Sequence, residues 1–255
     1  MGNFLTFLFS GILVFFMGAS IFSFMNVVAY RMPRNMDFIN GRSRCPKCGK
    51  KLAFIDMIPV VSYFLLGGKC RFCGSRIRPR YVFMEIIGGI SCLLSFQHYG
   101  ISLAALLVFL FISVLFTVAL IDAETMEIPD DFHIVILVLA VLMILFGKTS
   151  FWSHLIGMFC VSVPMLLLAL AVPGGFGGGD IKLMAVCGLF MGWKQILVAS
   201  VLGVVSGGIY ATYLLLTKKN SRKGHFAFGP FLCFGMYIAL FWGDALINAY
   251  LNLFL

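Results

Sequence analysis

Residues 101–121 read ISLAALLVFLFISVLFTVALI, and Asp122 follows them directly. The stretch is uncharged and apolar on every side of a helix, and its length matches the roughly 20 residues that a helix needs to cross the hydrocarbon core of a bilayer. A backbone inside lipid must satisfy its own hydrogen bonds, which a single segment achieves as an α-helix. This stretch decides the fold class, because it predicts a transmembrane helix that ends at an acidic residue.

The remainder of the chain has the same apolar character. Of its 255 residues, 61% are hydrophobic and 11% are charged, and the mean hydropathy is +1.03, which excludes an ordinary soluble protein. Apolar stretches lie at 4–30, 81–97, 101–121, 132–146, 151–172, 181–193, 195–217 and 231–255. We predict an all-α, polytopic transmembrane helical bundle of about eight spans. Seven spans are the alternative, because the sixth stretch is short and only Lys194 separates it from the seventh.

The basic residues are concentrated in one polar loop. Most of the 19 Lys and Arg residues lie at 31–80, where Asp37 and Asp56 are the acidic residues. In so apolar a chain, a basic loop determines topology far more often than it binds nucleic acid, and cytoplasmic loops carry the excess of Lys and Arg. We therefore place this loop in the cytoplasm and the N-terminus outside, and we expect no nucleic-acid partner. The predicted segments are a first span at 1–30, the basic loop at 31–80 and a transmembrane core at 81–255.

Charge bias also favours eight spans over seven. Eight alternating spans place a second basic cluster in the cytoplasm, whereas joining the sixth and seventh would move it outside. This cluster consists of Lys218, Lys219, Arg222 and Lys223. The same topology brings Asp122 and Asp180 to the cytoplasmic boundary of the membrane.

The basic loop contains two C-x-x-C-G sequences, Cys45-Pro-Lys-Cys48-Gly and Cys70-Arg-Phe-Cys73-Gly. Each offers two thiolates to one ion, the glycine lets the backbone turn back, and four thiolates satisfy tetrahedral Zn²⁺. Disulfides are the alternative, but they do not persist in the reducing cytoplasm. We predict a structural zinc site, because four thiolates leave no open position for substrate or water.

Asp122 and Asp180 carry the candidate chemistry, since ionisable groups at membrane spans are costly and often functional. Asp180 ends the run Pro173-Gly-Gly-Phe-Gly-Gly-Gly-Asp, which lacks the preceding strand and the following G-K-[ST] of a phosphate-binding loop. Two aspartates that meet in a bundle can share one proton, so that one is general base and the other general acid for attack of water on a peptide carbonyl. The alternative is helix capping at Asp130 or Asp131 together with unrelated polar contacts. His133 sits in a predicted span, and no Ser-His-Asp set competes.

Motifs along nearly the whole chain resemble those of one family. In chain order they are Gly18-Ala-Ser-Ile-Phe-Ser-Phe-Met-Asn26-Val-Val-Ala-Tyr-Arg31-Met-Pro33, both cysteine sequences, Ile58-Pro-Val-Val-Ser-Tyr63, Arg80-Tyr81 with Glu85, Ile121-Asp122 with Ile128-Pro129-Asp130, Gly177-Gly178-Gly179-Asp180-Ile-Lys182-Leu and Phe228-Gly229-Pro230-Phe231. They are similar to the motifs of the type IV prepilin peptidases, bacterial membrane aspartic proteases that process pilins and type II secretion pseudopilins.

The resemblance implies residue roles and a substrate. Asp122 and Asp180 would be the active aspartates, and Gly177, Gly179 and Lys182 would belong to the loop of the family's GxGD motif. The substrate would be a prepilin in the bacterial inner membrane, whose basic leader lies in the cytoplasm and is cut after a glycine just before a hydrophobic helix. Many members with the cysteine loop also methylate the new N-terminal amine with S-adenosylmethionine, so the resemblance favours a bifunctional enzyme.

Two further assignments concern acidic residues at the predicted cytoplasmic face. Glu85 is the polar candidate for methyl transfer, although it could instead pair with Arg78 or Arg80. Glu124 and Glu127, with the aspartates that follow them, could bind the basic leader. The chain has no G-x-G-x-x-G after a strand, so the sequence does not locate a pocket for the methyl donor.

Two rival functions remain open at this point. A small transporter or assembly scaffold would use Asp122 and Asp180 as an ion or proton site. A peptidase-only GxGD protease would cut the substrate without methylating it. Cleavage of a Gly-Phe bond at the start of a pilin helix would distinguish a peptidase from the transporter or scaffold. Transfer of a labelled methyl group to the product would distinguish the bifunctional enzyme from the peptidase-only protease.

Overall fold

The computed structural model describes residues 2–39, 41, 43–147, 149–172, 175–217 and 226–254, and it confirms the all-α fold. The helices are α1 (Gly2–Arg31), α2 (Val61–Leu65), α3 (Arg80–Tyr99), α4 (Leu103–Thr125), α5 (Asp130–Phe146), α6 (Phe151–Cys160), α7 (Ser162–Ala171), α8 (Gly178–Met191), α9 (Trp193–Leu216) and α10 (Gly229–Phe254). Short 3₁₀ helices lie at Met32–Arg34 and Phe54–Met57. Extended pairing in these ranges consists of two isolated bridges, Arg44 with Lys51 and Lys69 with Arg76.

Several helices are long and apolar enough to cross a bilayer, which identifies a multi-pass membrane protein. Within the described ranges these five segments are Phe9–Arg34, Leu103–Thr125, Phe151–Ala171, Trp193–Leu216 and Gly229–Leu253. Helices α3, α5 and α8 cover the remaining predicted stretches but do not meet the same criteria, so the count of eight spans stays a prediction. The basic cluster that supported this count, Lys218, Lys219, Arg222 and Lys223, lies outside the described residues.

The sixth and seventh apolar stretches form separate helices, as predicted. The chain breaks between α8 and α9 at Gly192, whose φ is +83°. Residues with a Cβ rarely adopt this conformation, so a glycine is suited to this connection. The break lies before Lys194, which belongs to α9.

The fifth stretch is interrupted in a way that hydropathy did not predict. It divides into α6 and α7 at Val161. Pro164 lies in the first turn of α7, where its ring would clash with the carbonyl of Cys160 in a continuous helix, and it lacks an N–H. The proline therefore explains the interruption.

The chain divides into two compact units, residues 1–109 and 110–255. In the first unit, α1 packs along α3. The two backbones approach closely at Gly18 and Gly88, since a Cβ on Gly18 would overlap the Gly88 carbonyl and one on Gly88 would overlap Phe22. The buried face of α1 contains Ala19, Phe22, Asn26 and Ala29.

In the second unit, α8 packs against both α5 and α6, and α9 packs against α10. Gly157 of α6 and Gly188 of α8 approach so closely that a Cβ on either would overlap the other's carbonyl. Phe190 of α8 stacks on Phe111 of α4 with ring centroids 4.0 Å apart. Helix α8 is thus fixed by packing on several sides, which holds its first turn, and with it Asp180, in a defined place.

Candidate active site and metal centre

Asp122 lies in the last turn of α4 and is 5% exposed. Its Oδ2 accepts a hydrogen bond of 2.9 Å from the backbone N–H of Gly229, at the first residue of α10. Helix α4 ends after Thr125, because Met126 adopts a left-handed conformation with a φ of +57°. The carboxylate is therefore buried, oriented by a backbone donor and placed beside a helix end.

Asp180 lies in the first turn of α8, three residues after the N-cap Gly177. Its partly buried carboxylate hydrogen-bonds the Gly177 backbone, so it caps its own helix where negative charge is favoured. The Asp122 charge acts directly on Asp180, and both carboxylates act on the buried Cys233 thiol. The structure thus places the two aspartates that the sequence singled out within range of each other's charge.

The segment 126–130, which follows α4, contacts the glycine-rich sequence at the start of α8. A Cβ on Gly179 would lie 3.3 Å from the Cβ of Ile128, so the two backbones meet closely there. Lys182 Nζ lies 2.9 Å from Asp130 Oδ1. This hydrogen bond and the lysine's charge, followed by those of His133, lower the pKa of Asp130 and keep it ionised at neutral pH. The predicted loop residue Lys182 therefore links the two aspartate motifs.

The capping interpretation of the acidic turn is wrong. Pro129 is the N-cap of α5, with no side-chain capping bond, and Asp130 and Asp131 already lie in the helix. The N-cap position is thus occupied by a residue in an extended conformation that has no side chain able to cap, and the helix begins only at Asp130. Asp130 is used instead in the contacts to Lys182 and His133.

Sequence reasoning missed His133, which is 7% exposed. Its Nδ1 is 3.2 Å from Asp130 Oδ1, and its Nε2 is 3.2 Å from the carbonyl oxygen of Gly179. Each ring nitrogen thus lies within hydrogen-bonding distance of one oxygen atom, on two different helices. The side chain tethers the residue before Asp180 to α5. A histidine at the second turn of an apolar helix was the available signal, but its partner is 46 residues away.

Sequence reasoning also gave no role to Gly229 or to the aromatic residues beside it. Phe228 lies 5.8 Å, centroid to centroid, from Phe176 of the glycine loop. The segment 228–231 therefore contacts both the Asp122 carboxylate and the loop that precedes Asp180. The F-G-P-F resemblance was the signal, without indicating a contact.

Glu124 and Glu127 are exposed, and so is Asp131. Glu124 lies at the end of α4, Glu127 in the turn that follows and Asp131 in the first turn of α5. These exposed acids follow Asp122 closely in the chain, while Asp130 in the same segment is engaged by Lys182. A cationic peptide segment is the ligand that such exposed acids attract.

The four cysteines of the basic loop form a cluster that can hold a metal ion. The Sγ atoms of Cys45, Cys48, Cys70 and Cys73 lie within 4.8 Å of one another. Around a tetrahedral zinc ion with Zn–S bonds of about 2.3 Å, sulfur atoms lie about 3.8 Å apart. The Sγ atoms of Cys45 and Cys73 are 3.8 Å apart.

Both cysteine turns have the same backbone. The N–H groups of Gly49 and Gly74 each donate to the carbonyl of the first cysteine, at 2.9 Å, and both glycines have positive φ, at +68° and +67°. This confirms why a glycine follows each C-x-x-C. The salt bridge of 2.7 Å between Arg71 and Asp56 anchors the second turn to the 3₁₀ helix before α2.

The turns also favour the thiolate forms that bind metals. Hydrogen bonds from the backbone of Cys48 and Lys47 lower the pKa of Cys45 to about 6. A hydrogen bond with the Ser75 hydroxyl lowers the pKa of Cys73. For Cys48, a bond from the Lys50 backbone acts to lower the pKa, but burial and the neighbouring thiols outweigh it and raise the pKa to about 11. Four thiolates repel one another, so a bound cation is needed to ionise all of them.

Glu85 lies in the second turn of α3 and is partly buried. Its Oε2 accepts a hydrogen bond of 2.7 Å from the Val60 backbone N–H, and its carboxylate also bonds the Ser23 hydroxyl. The sequence had suggested Arg78 or Arg80 as partners, whereas these contacts come from α1 and from the turn before α2.

Comparison with known proteins gives two matching families. Residues 16–99 match the bacterial peptidase A24 N-terminal domain. Residues 109–212 match the type IV leader peptidase family. The first range contains the cysteine cluster and Glu85, and the second contains Asp122 and Asp180.

Curated relatives are similar over most of their length. A prepilin leader peptidase/N-methyltransferase of Bacillus subtilis is 31% identical over 242 residues, which cover 94% of this chain and 98% of the relative. Proteins of the same description from Pseudomonas aeruginosa and Stutzerimonas stutzeri are 30% and 28% identical; their alignments cover 92% of this chain and 91% and 92% of the relatives, respectively. No solved structure matches the chain.

Proposed function

Because the chain belongs to the type IV leader peptidase family, we propose that it is a membrane endopeptidase that removes the leader of prepilins and N-methylates the new N-terminal residue. The observation that carries the proposal is the convergence of Asp122 and Asp180. Two carboxylates at the ends of α4 and α8 fit the reaction that the names of its relatives describe. The same names support the methyl transfer.

The proposed cleavage uses both aspartates. In this proposal the two carboxylates share one proton when substrate is bound, because two neighbouring carboxylates cannot both be ionised without strong repulsion. The ionised aspartate takes a proton from water, and the resulting hydroxide attacks the scissile carbonyl. The protonated aspartate stabilises the developing oxyanion and then gives its proton to the leaving amine. The Gly229 N–H holds one carboxylate in place, and the tether from His133 holds the loop of the other.

The proposed substrates are type IV prepilins or type II secretion pseudopilins in the inner membrane. Placing the basic loop in the cytoplasm puts the aspartates at the cytoplasmic face, where a basic leader lies. Exposed Glu124 and Glu127 bind the Lys and Arg of this leader. The hydrophobic pilin helix stays in the membrane lipid, so the scissile bond lies at the membrane boundary.

The proposed metal is a structural zinc ion held by Cys45, Cys48, Cys70 and Cys73. The sulfur spacing and the thiolate-favouring turns support it. A loop of this size has too little apolar core to fold alone, so metal binding contributes much of its stability. The ion takes no part in the chemistry, because its coordination shell is complete.

The proposed methyl donor is S-adenosylmethionine, which when bound supplies an electrophilic methyl group. The chain's own contribution is to bind and orient the amine that receives it. Glu85 is the proposed residue for this work, since its carboxylate is fixed by Val60 and Ser23 and is not used in cleavage.

The proposal is tested with purified enzyme in nanodiscs, a prepilin and S-adenosylmethionine carrying a labelled methyl group. We expect a shortened product that starts at the residue after the cleaved glycine and carries the label on its N-terminus. An intact prepilin would contradict the peptidase activity, and an unlabelled product would contradict the transferase activity.

A further inference from the structure

Three of the motifs quoted above have no role in the proposed cleavage, and all three lie within residues 1–109. They contribute Asn26 of α1, Val60 of the basic loop and Glu85 of α3. Ser23 joins the α1 and α3 motifs, because its hydroxyl bonds the Glu85 carboxylate and it lies one turn before Asn26. The Glu85 carboxylate thus receives contacts from residues about 25 and 60 positions away, and Asn26 lies one turn from the second of these, Ser23.

The Glu85 carboxylate is held by a strained turn. Val60 has a φ of +65° and a ψ of −53°, and the N–H of Val61 donates to the Pro59 carbonyl over 2.6 Å. This is a γ-turn with positive φ, a rare and strained conformation and an outlier for a β-branched residue. Such strain persists where the surroundings enforce it, and it clusters at functional sites. The turn aims the Val60 N–H at Glu85 over 2.7 Å.

Asn26 supplies the second and independent observation. It is 2% exposed, and neither Nδ2 nor Oδ1 has a hydrogen-bond partner among the residues that the structure describes. Phe22, one turn earlier on the same buried face, meets Gly88 of α3, so Asn26 faces α3 nearer the start of that helix than Gly88, on the side where Glu85 lies. A buried amide with both polar atoms unpaired is costly. It indicates a ligand that offers one donor and one acceptor.

We propose that Asn26, Val60 and Glu85 form the site that binds the free N-terminus of the cleaved pilin for methylation. This rests on the proposed function and names the residues that recognise its methyl acceptor. The terminal ammonium is a cation with donors for Glu85 and for Asn26 Oδ1, and the first carbonyl of the peptide accepts from Asn26 Nδ2. The amino-acid end of S-adenosylmethionine also has an ammonium group, but its carboxylate is repelled by Glu85. The charge therefore favours the peptide.

The site also supplies a base for the transfer. The Glu85 carboxylate takes one proton from the ammonium, which leaves a neutral amine with a free electron pair. This pair forms the new N–CH₃ bond while the S–CH₃ bond of the sulfonium donor breaks, and the bonding electrons stay on sulfur as a neutral thioether. The methylated amine carries the positive charge that the sulfonium lost. Glu85 later gives its proton to water.

The test measures binding of a peptide that starts at the residue after the cleavage site, with its amine free or acetylated. Full-length enzyme in nanodiscs is compared with Asn26→Leu, Glu85→Gln and the control Ser95→Ala. Ser95 is buried in α3, and its hydroxyl donates to the Ser91 carbonyl of its own helix, at 2.8 Å. We expect wild type and Ser95→Ala to bind the peptide with a free amine at least tenfold more tightly than the acetylated peptide. Asn26→Leu and Glu85→Gln should lose this preference and methylate at least tenfold more slowly, with cleavage changed less than twofold.

Two control measurements distinguish this role from structural support and from donor binding. The melting temperature of Asn26→Leu should not fall, because the substitution removes an unpaired buried amide, and S-adenosylhomocysteine should bind both variants normally. Variants that keep the preference for the free amine would overturn the proposal, as would variants that lose only S-adenosylhomocysteine binding. Failure of the proposed function appears separately, as a wild-type enzyme that does not cut prepilin or does not label the product.

Discussion

The carboxylate of Asp122 and the backbone N–H of Gly229 are joined by a hydrogen bond of 2.9 Å across 107 positions of sequence. The bond brings the start of α10 to the end of α4. A side chain at position 229 would disturb it, since a Cβ there would lie 2.6 Å from Asp122 Oδ2. The glycine is thus required by the carboxylate beside it, not by the backbone of its own helix.

Gly229→Ala should lower kcat for prepilin cleavage strongly and leave folding almost unchanged. The methyl group displaces only a side-chain carboxylate, which is a small cost in stability, but an error of about 1 Å at a reacting group costs on the order of 100-fold in rate. Cleavage kinetics and thermal unfolding measure the two effects. The control is Gly208→Ala, because a Cβ on Gly208 meets nothing within 4 Å. A Gly229→Ala enzyme of normal rate would mean that this contact does not position Asp122.

His133→Leu should reduce kcat about tenfold with little change in KM, since loss of buried hydrogen bonds worth about 1–3 kcal/mol loosens the loop that carries Asp180. His133→Gln keeps a donor for the Gly179 carbonyl, so we expect it to recover part of the loss. His98→Leu, at the far end of α3, serves as a control. Equal losses in the Leu and Gln variants would argue against a tether that depends on a hydrogen bond.

Removal of metal should unfold the cysteine loop while the helices remain folded. Metal analysis should give one zinc ion per chain, and chelation should abolish slow hydrogen exchange at 45–75, because the loop has little core of its own. Cys48→Ser should lose the metal, whereas Cys160→Ser, outside the cluster, should retain it. Native exchange protection in a metal-free protein would contradict a structural role for the ion.

Joint replacement of Glu124 and Glu127 by Gln should raise KM for prepilin about 2- to 30-fold without changing kcat. Each exposed ion pair contributes roughly 0.2–1 kcal/mol, and salt screens it. The difference from wild type should therefore shrink as ionic strength rises. Asp244→Asn removes an exposed acid from α10 as a control. A KM equal to that of wild type at low salt would remove these residues from leader binding.

The sequence predicts those features of the molecule that are encoded by a few consecutive residues. An apolar stretch that ends at Asp122 and a glycine run that ends at Asp180 each identify a costly ionisable group without further information. The repeated C-x-x-C-G likewise predicts the ligands and the turn at once, and the positive φ of Gly49 and Gly74 confirms the turn. In these cases the chemistry and its structural support lie within a few residues.

The missed features depend on contacts between distant residues. Hydropathy treats His133 as one polar residue in an apolar helix, because its partner Gly179 lies on another helix. The capping prediction for Asp130 failed for the same reason, since Lys182 and His133 use the side chain instead. The strained turn at Val60 was missed because no residue there has the usual preference for positive φ.

The most direct measurement of the central claim is prepilin cleavage by wild type, Asp122→Asn and Asp180→Asn at equal amounts of folded enzyme. The substitutions keep size and hydrogen bonding but remove the charge and the shared proton. The account predicts that each variant loses cleavage by at least about 1,000-fold, the scale on which removal of an essential catalytic group acts. Cleavage at the wild-type rate in either variant would contradict it and would favour an ion site at these aspartates.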